Sequence, residues 1–137
     1  MATLRMEDFI DRRAKGFSRG QQMKVALARA LAHRPHNIML DEPTNGLDVA
    51  TSRAVRDLLR RLRDEGRCIL LTSHIMQEIG ALADRIIVLA EGRIVLQGSP
   101  AELRRATGLH DLEEVFMAAT QQTARETATS AALAAGE

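Results

Sequence analysis

Cysteine is almost absent from this chain. Cys68 stands alone, so no internal disulfide can form, and its place inside an apolar run makes it an expected buried, inert core residue. Nor is there an excess of one charge. The 19 basic and 18 acidic side chains leave a net of +1, which removes any bulk electrostatic case for nucleic acid as a partner. No apolar run approaches the ~18 residues that a membrane-spanning helix needs, and no signal peptide is visible. Any link to a membrane is therefore expected to run through a partner. Internal repeats and sustained heptads are missing as well. The phosphate-cradling pattern Gly-x-x-x-x-Gly-Lys-Ser/Thr does not occur anywhere; the only glycine–lysine neighbours, Lys15-Gly16, run in the wrong order.

What is present starts with Asn37-Ile38-Met39-Leu40-Asp41-Glu42-Pro43. Three apolar residues fit a buried parallel strand, and two adjacent carboxylates and a proline end it. Successive side chains on a strand point to opposite faces, so Asp41 and Glu42 cannot both decorate one solvent surface. One of them turns toward whatever occupies the carboxyl end of the strand, where open α/β sheets bind ligands. Taken alone, such a pair also fits a plain strand end. A second apolar run, Cys68-Ile69-Leu70-Leu71-Thr72, leads to Ser73 and His74. A histidine after a strand is commonly just a satisfied polar residue. In a parallel sheet, however, both strand ends meet at the same edge.

Between and before these strands lie two amphipathic helices. Met23, Leu27 and Leu31, with Ala26 and Ala30 beside them, mark one face over residues 23–33. Ser18 followed three residues later by Gln21 is a capping-box pattern. The same start, with free backbone N–H groups, a hydroxyl and Gly20, also suits a phosphate. Val55, Leu58, Leu59 and Leu62 mark the second helix, with Gly66 at its expected C′ position. Arg60, Arg61, Arg63 and Arg67 read as a solvated face.

Further on, Arg85 to Leu89 and Arg93 to Leu96 flank Glu91-Gly92 and predict a hairpin with a short turn. Ser99-Pro100-Ala101-Glu102 predicts another capped helix, ending near Gly108. A last helix is expected over 111–119, with Leu112, Val115, Phe116 and Ala119 on one face. From Thr120 the chain is mostly alanine, threonine, glutamine and glutamate, with a single leucine, and is expected to be a disordered tail.

In this order, the segment from Gly16 to Gly98 resembles the second half of an ABC-type ATPase domain. Phe17-Ser18-Arg19-Gly20-Gln21 is similar to the LSGGQ signature, and Ile38 to Glu42 to the Walker B strand with its following glutamate. Gly46-Leu47-Asp48 is similar to the D-loop, and His74 to the switch histidine. The wording Asp-Glu-Pro-Thr-Asn-Gly-Leu-Asp-Val resembles the sodium-extrusion type of exporter subunit, and drug exporters share much of it. Two departures stand out in the signature. Phe17 replaces a leucine, and Arg19 puts a bulky cation where the family has the first glycine of its pair.

The resemblance implies an α/β fold: a partial P-loop NTPase (RecA-like, three-layer) parallel sheet with flanking helices, lacking the phosphate-loop strand. Residues 1–119 would form the C-terminal half of the ATPase domain and residues 120–137 the tail. The strands at 37–41 and 68–72 would pair on one side of the missing central strand, and the hairpin would lie on the other. Without it, the two parts must separate, pair abnormally or leave open edges. The cofactors implied are ATP and Mg²⁺. Asp41 would hold the metal, Glu42 would polarise the attacking water and His74 would contact the γ-phosphate. Ser18, Gly20 and Gln21 would close over ATP held by a second ATPase subunit, and Asp48 would lie at that dimer seam. The other partner implied is a transmembrane permease, with no nucleic acid. The chain would be cytoplasmic, peripheral at the inner face of the cell membrane.

The function expected is that of an ATP-binding and hydrolysing subunit of a membrane exporter, present without its phosphate loop. The alternative is a non-hydrolytic interaction module that lends its signature helix to a partner ATPase. Chromosome-maintenance ATPases share these motifs but carry long coiled coils, for which the sequence has no heptads. Phosphate-loop amides and lysine supply most contacts to the β- and γ-phosphates. The 137-residue chain, purified and given Mg-ATP, should therefore release phosphate no faster than its Glu42→Gln variant in a steady-state assay.

Overall fold

Residue 4 and residues 6–134 are described by the structure, a computed structural model. Two α-helices and two β-strands make up a first compact unit that ends at His74; a second unit begins at Ile75. In the first unit, α1 spans Arg19–Leu31, β1 Asn37–Asp41, α2 Val49–Asp64 and β2 Cys68–Thr72. The capping box forms as expected. Ser18 Oγ accepts from the Gln21 amide at 3.2 Å, and Gln21 Oε1 accepts from the Ser18 amide at 3.0 Å. These bonds satisfy two of the donors that every helix start leaves open. Strands β1 and β2 pair in parallel from Asn37↔Cys68 to Asp41↔Thr72.

The core of this unit is the expected face of α2. Val55, Leu58, Leu59 and Leu62 are all buried, together with Leu27 of α1 and Ile38 of β1. Leu4, Met6 and Phe9 add a cluster that sequence patterning did not single out. The Phe9 and Phe17 rings meet edge to face at 5.3 Å, and Lys24 Nζ stands 6.0 Å from the Phe9 centroid. Both geometries are favourable for aromatic quadrupoles. Arg67 departs from the expected solvated face: it is half-buried and donates to the Pro35 carbonyl, joining the entrances of the two strands.

One expectation for the strands is corrected. They read as buried on both faces, yet Met39 is 77% exposed and Leu70 55%, and Cys68 is exposed rather than an inert core residue. The reason is the pleat. Alternate residues Ile38, Leu40, Ile69 and Leu71 lie on the covered face, and Met39 and Leu70, paired in the ladder, share the other. A parallel sheet in a complete α/β fold is covered on both sides.

The second unit contains α3 (Met76–Leu82), β3 (Ile86–Ala90), β4 (Arg93–Gly98), α4 (Pro100–Thr107) and α5 (Leu112–Ala134). Strands β3 and β4 form the expected antiparallel hairpin. Its turn residues, Glu91 at φ 50° and Gly92 at φ 73°, both lie in the left-handed region that tight hairpins require. Ser99 and Glu102 cap α4 reciprocally, at 2.8 and 3.3 Å. Val88, Leu103, Leu112 and Val115 are buried. Leu112 packs against Gly80, where an added β-carbon would stand 2.9 Å from Leu112 Cδ1.

Helix α5 does not stop at Ala119 but continues to Ala134, so the segment expected to be disordered from Thr120 is helical as far as it is described. Low complexity misled the reading, because alanine, glutamine, glutamate and arginine are good helix formers. Thr120 and Thr123 donate their hydroxyls to the carbonyls of Phe116 and Ala119, at 2.9 and 3.1 Å, and so fit inside the helix. The last three residues of the expected tail lie outside the described residues. Among the described residues no helix is long and apolar enough to cross a membrane.

Among the described residues the strands form two two-stranded sheets, β1–β2 parallel in the first unit and β3–β4 antiparallel in the second. The architecture is α/β, with a parallel sheet flanked by helices. Exposed Met39 and Leu70 on a short sheet with open edges favour self-association. The joint substitution Met39→Lys and Leu70→Lys should move the chain toward monomer on sizing chromatography and leave its far-UV helical signal intact.

Candidate functional site

Parallel pairing brings the carboxyl ends of β1 and β2 to one edge, and the polar residues of both strands collect there. Asp41 and Thr72 are the last paired residues. Beyond them Glu42 turns into the left-handed region at φ 46°, which costs a side-chain-bearing residue about 1–3 kcal/mol and persists only where its surroundings impose it. What imposes it is β2. The Glu42 N–H donates to the Thr72 carbonyl at 3.2 Å and to Thr72 Oγ1 at 3.0 Å. The Thr72 hydroxyl in turn donates to Asp41 Oδ1. The turn throws the Glu42 carboxylate toward β2, where Oε2 lies 2.9 Å from His74 Nδ1.

A carboxylate can only accept, so His74 carries its proton on Nδ1 in this contact. The neutral ring then leaves Nε2 as an acceptor, and only the imidazolium could donate from both nitrogens. Glu42 is half-buried, whereas Asp41 and His74 are exposed. Asp41 offers a single hard carboxylate. Among the described residues no group of three or more histidine, cysteine, aspartate or glutamate side chains gathers to hold an ion. A lone carboxylate of this kind could hold a hard cation such as Mg²⁺ only together with waters or another molecule's oxygens.

The chain leaves this edge through buried Pro43 and Thr44 and reverses in a tight turn. Asn45 N–H donates to the Glu42 carbonyl at 3.1 Å and Leu47 N–H to the Thr44 carbonyl at 3.3 Å, around Gly46 at φ 69°. Asp48 then caps α2: its carboxylate accepts from the Thr51 amide at 2.9 Å and from the Thr51 hydroxyl at 2.7 Å. These bonds, the backbone one first, hold the Asp48 pKa below its ordinary value of 3.8.

The start of α1 meets this turn. A β-carbon on Gly20 would stand 3.2 Å from the Thr51 side chain, and one on Gly46 would stand 3.3 Å from Arg19 Cζ. Arg19, the departure from the signature, therefore lies across Gly46. Of the expected site residues, the structure links Asp41 to Glu42 through Thr72 and brings the Glu42 carboxylate to His74. Gly20 reaches Asp48 through Thr51, while Ser18 and Gln21 bond each other. Sequence reasoning missed Thr72. The available signal was a hydroxyl in the last strand position, two residues before His74, where parallel pairing would set it beside Asp41. The concave surfaces of the second unit, about 350 and 550 Å³, contain none of these residues.

Comparison with known proteins places these residues in context. A family model described as ABC transporter matches residues 1–45. The chain is 42% identical over 112 residues to the ABC transporter ATP-binding protein NatA of Bacillus subtilis, a match covering 82% of this chain and 46% of that protein. It is 42% identical over 90 residues to a fluoroquinolones export ATP-binding protein of Mycobacterium tuberculosis, covering 66% and 30%. With the spermidine/putrescine import ATP-binding protein PotA 1 of Pseudomonas aeruginosa the identity is 39% over 109 residues, covering 79% and 30%. A solved ATP-binding subunit of an ABC transporter superposes with a TM-score of 0.78 at 28% identity, over 87% of this chain and 50% of that one. The chain thus spans half or less of the length of these relatives.

The cap at Asp48 sets a pH response. Its folded pKa is depressed, so its contribution is complete above the ordinary value of 3.8 and is lost as pH falls through the lower folded value. Asparagine also caps helices but does not titrate. In an acid titration followed by circular dichroism, the native chain should lose helix stability below pH 3.8 more steeply than Asp48→Asn does.

Proposed function

The chain belongs to the ABC transporter ATP-binding proteins, and on that premise we propose that it supplies the hydrolytic strand end and the signature helix of a transport ATPase. The observation that carries this reading is the 2.9 Å bond between His74 Nδ1 and Glu42 Oε2, with Glu42 held in a strained backbone conformation beside Asp41. Glu42 orients and polarises the attacking water, and His74, as the imidazolium, fixes the carboxylate through Nδ1–H and donates from Nε2–H to the γ-phosphate. Asp41 is the Walker B carboxylate toward Mg²⁺, which when bound neutralises charge across the phosphates. Phosphoryl transfer asks a protein chiefly for positioning and charge stabilisation, and this cluster offers both.

The second group acts in trans. Ser18, Gly20 and Gln21 close over ATP held by the phosphate loop of a facing ATPase subunit, and Asp48 lies at that seam. The start of α1 suits this role because its hydroxyl, backbone amides and positive dipole end all favour anions. A permease supplies the membrane path, so the chain works in the cytoplasm at the inner membrane face. Nucleotide closes the dimer and hydrolysis reopens it. We take the direction as export, from the likeness of Asp41 to Val49 to the sodium-extrusion type. The phosphate loop belongs to the half of the domain that these residues do not include.

The test uses a subunit in which the phosphate-loop half precedes this sequence. Glu42→Gln keeps size and hydrogen bonding but removes the anionic base. It should lower turnover by about 10²–10⁴-fold and leave ATP binding intact, with a stable nucleotide-bound dimer by light scattering. Asp41→Asn should instead weaken Mg²⁺-dependent nucleotide binding. Equal, small effects of both substitutions on turnover would overturn the assignment.

A further inference from the structure

We propose that Thr72 is a positioning residue that locks the two site carboxylates into one arrangement through its hydroxyl. Three contacts converge on it. Its hydroxyl donates to Asp41 Oδ1, and its hydroxyl oxygen and its carbonyl both accept from the Glu42 N–H, at 3.0 and 3.2 Å. The polarity of this link is fixed by chemistry. An ionised carboxylate only accepts and a backbone N–H only donates, so a group between them must do both. A hydroxyl can. No apolar side chain of the same shape can.

The link matters because of where Glu42 sits. Its left-handed backbone is unfavourable for a residue with a side chain and has to be imposed. Thr72 imposes it from two atoms, and that conformation delivers the Glu42 carboxylate to His74. The same hydroxyl commits Asp41 Oδ1 and so restricts the rotation of that carboxylate, the one that would hold a cation. Thr72 is itself exposed, so its hydroxyl bonds are not there merely to satisfy a buried polar group. It would act on the reaction only through Asp41 and Glu42, and in that respect the inference rests on the function proposed above.

Two variants separate hydroxyl from shape. Thr72→Val keeps the β-branch and strand preference and loses the hydroxyl; Thr72→Ser keeps the hydroxyl. In the 137-residue chain, amide hydrogen exchange at Glu42 should become roughly tenfold faster in Thr72→Val and stay near native in Thr72→Ser. Exchange at Cys68, whose N–H donates to the His36 carbonyl at the other end of the pairing, should not change. Should valine disturb the fold, Thr72→Ala gives the same reading against serine. In the completed ATPase, Thr72→Val should lower kcat by about 10–100-fold with KM little changed, and serine should restore it.

Unchanged exchange at Glu42 in both the valine and alanine variants would overturn the proposal. So would faster exchange spread along all of β1 and β2, which would mean only lost strand pairing, or equal loss in valine and serine. A silent Glu42→Gln in the completed ATPase would instead sink the ATPase reading and leave the exchange result standing, so the two failures are distinguishable.

Discussion

Parallel pairing of β1 and β2, closing at Asp41↔Thr72, is the constraint on which the site depends. Two strands that run the same way finish at the same edge, and whatever follows them in sequence must share that edge. Asp41 therefore meets Thr72, Glu42 becomes the first residue past the ladder, and His74 lies two residues past its own strand. An antiparallel pair would have sent the carboxylates and the histidine to opposite ends. A slip of one residue would be as damaging, because every side chain would change face. Ile38 would exchange with Met39, and the apolar surface covered by helix would turn to solvent.

From this edge the chain must reverse, and the reversal is built from local chemistry. The Glu42 turn, the bonds from Asn45 and Leu47, and Gly46 in the left-handed region fold the chain back within a few residues. Asp48 then starts α2, whose buried stripe returns to the sheet. One run of the chain thus provides a carboxylate-bearing edge, a tight turn and a helix cap. The turn is also where α1 arrives, with Gly20 against Thr51 and Arg19 over Gly46. Glycine at 20 and 46 is what lets these segments approach. An arginine beside the helix start opposes the helix dipole, but its long side chain can lie along backbone that bears no β-carbon.

Features that depend on neighbours in sequence were legible before the structure. The Ser18–Gln21 and Ser99–Glu102 caps, the stripe of α2 and the Glu91-Gly92 hairpin each need only a few consecutive residues. The shared edge of the two strand ends was legible as well, because parallel strands finish on the same side; the Glu42–His74 contact itself was not, since it depends on the turn at Glu42. Exposure was not. Met39, Leu70 and Cys68 read as core because apolar runs mark strands that are covered twice, and a run carries no information about which cover is present. The long α5 was missed because a tract poor in apolar residues was read for its lack of core rather than for helix propensity. Thr72 was missed because its meaning lies in a cross-strand register, and a threonine at the end of a strand is otherwise unremarkable.

The two polar groups of the first unit differ in electrostatic character, and the difference bears on how they could share a nucleotide chemistry. The α1 start consists of amides, a hydroxyl and a cationic side chain, and attracts an anion without help. The β1 end consists of two adjacent carboxylates, and repels one. Two like charges about 4 Å apart near a protein surface oppose each other by about 4 kcal/mol, so a phosphate brought to Asp41 and Glu42 would gain from a cation between them. Ser18 and Gln21, by contrast, satisfy each other in the capping box, so the helix start is ordered before any ligand reaches it. In the proposed dimer the cation-dependent edge and the cation-free helix end would face the same phosphates from different subunits, each supplying what the other lacks. Hydrolysis would then require the dimer, because neither group alone both binds the phosphate and activates the water.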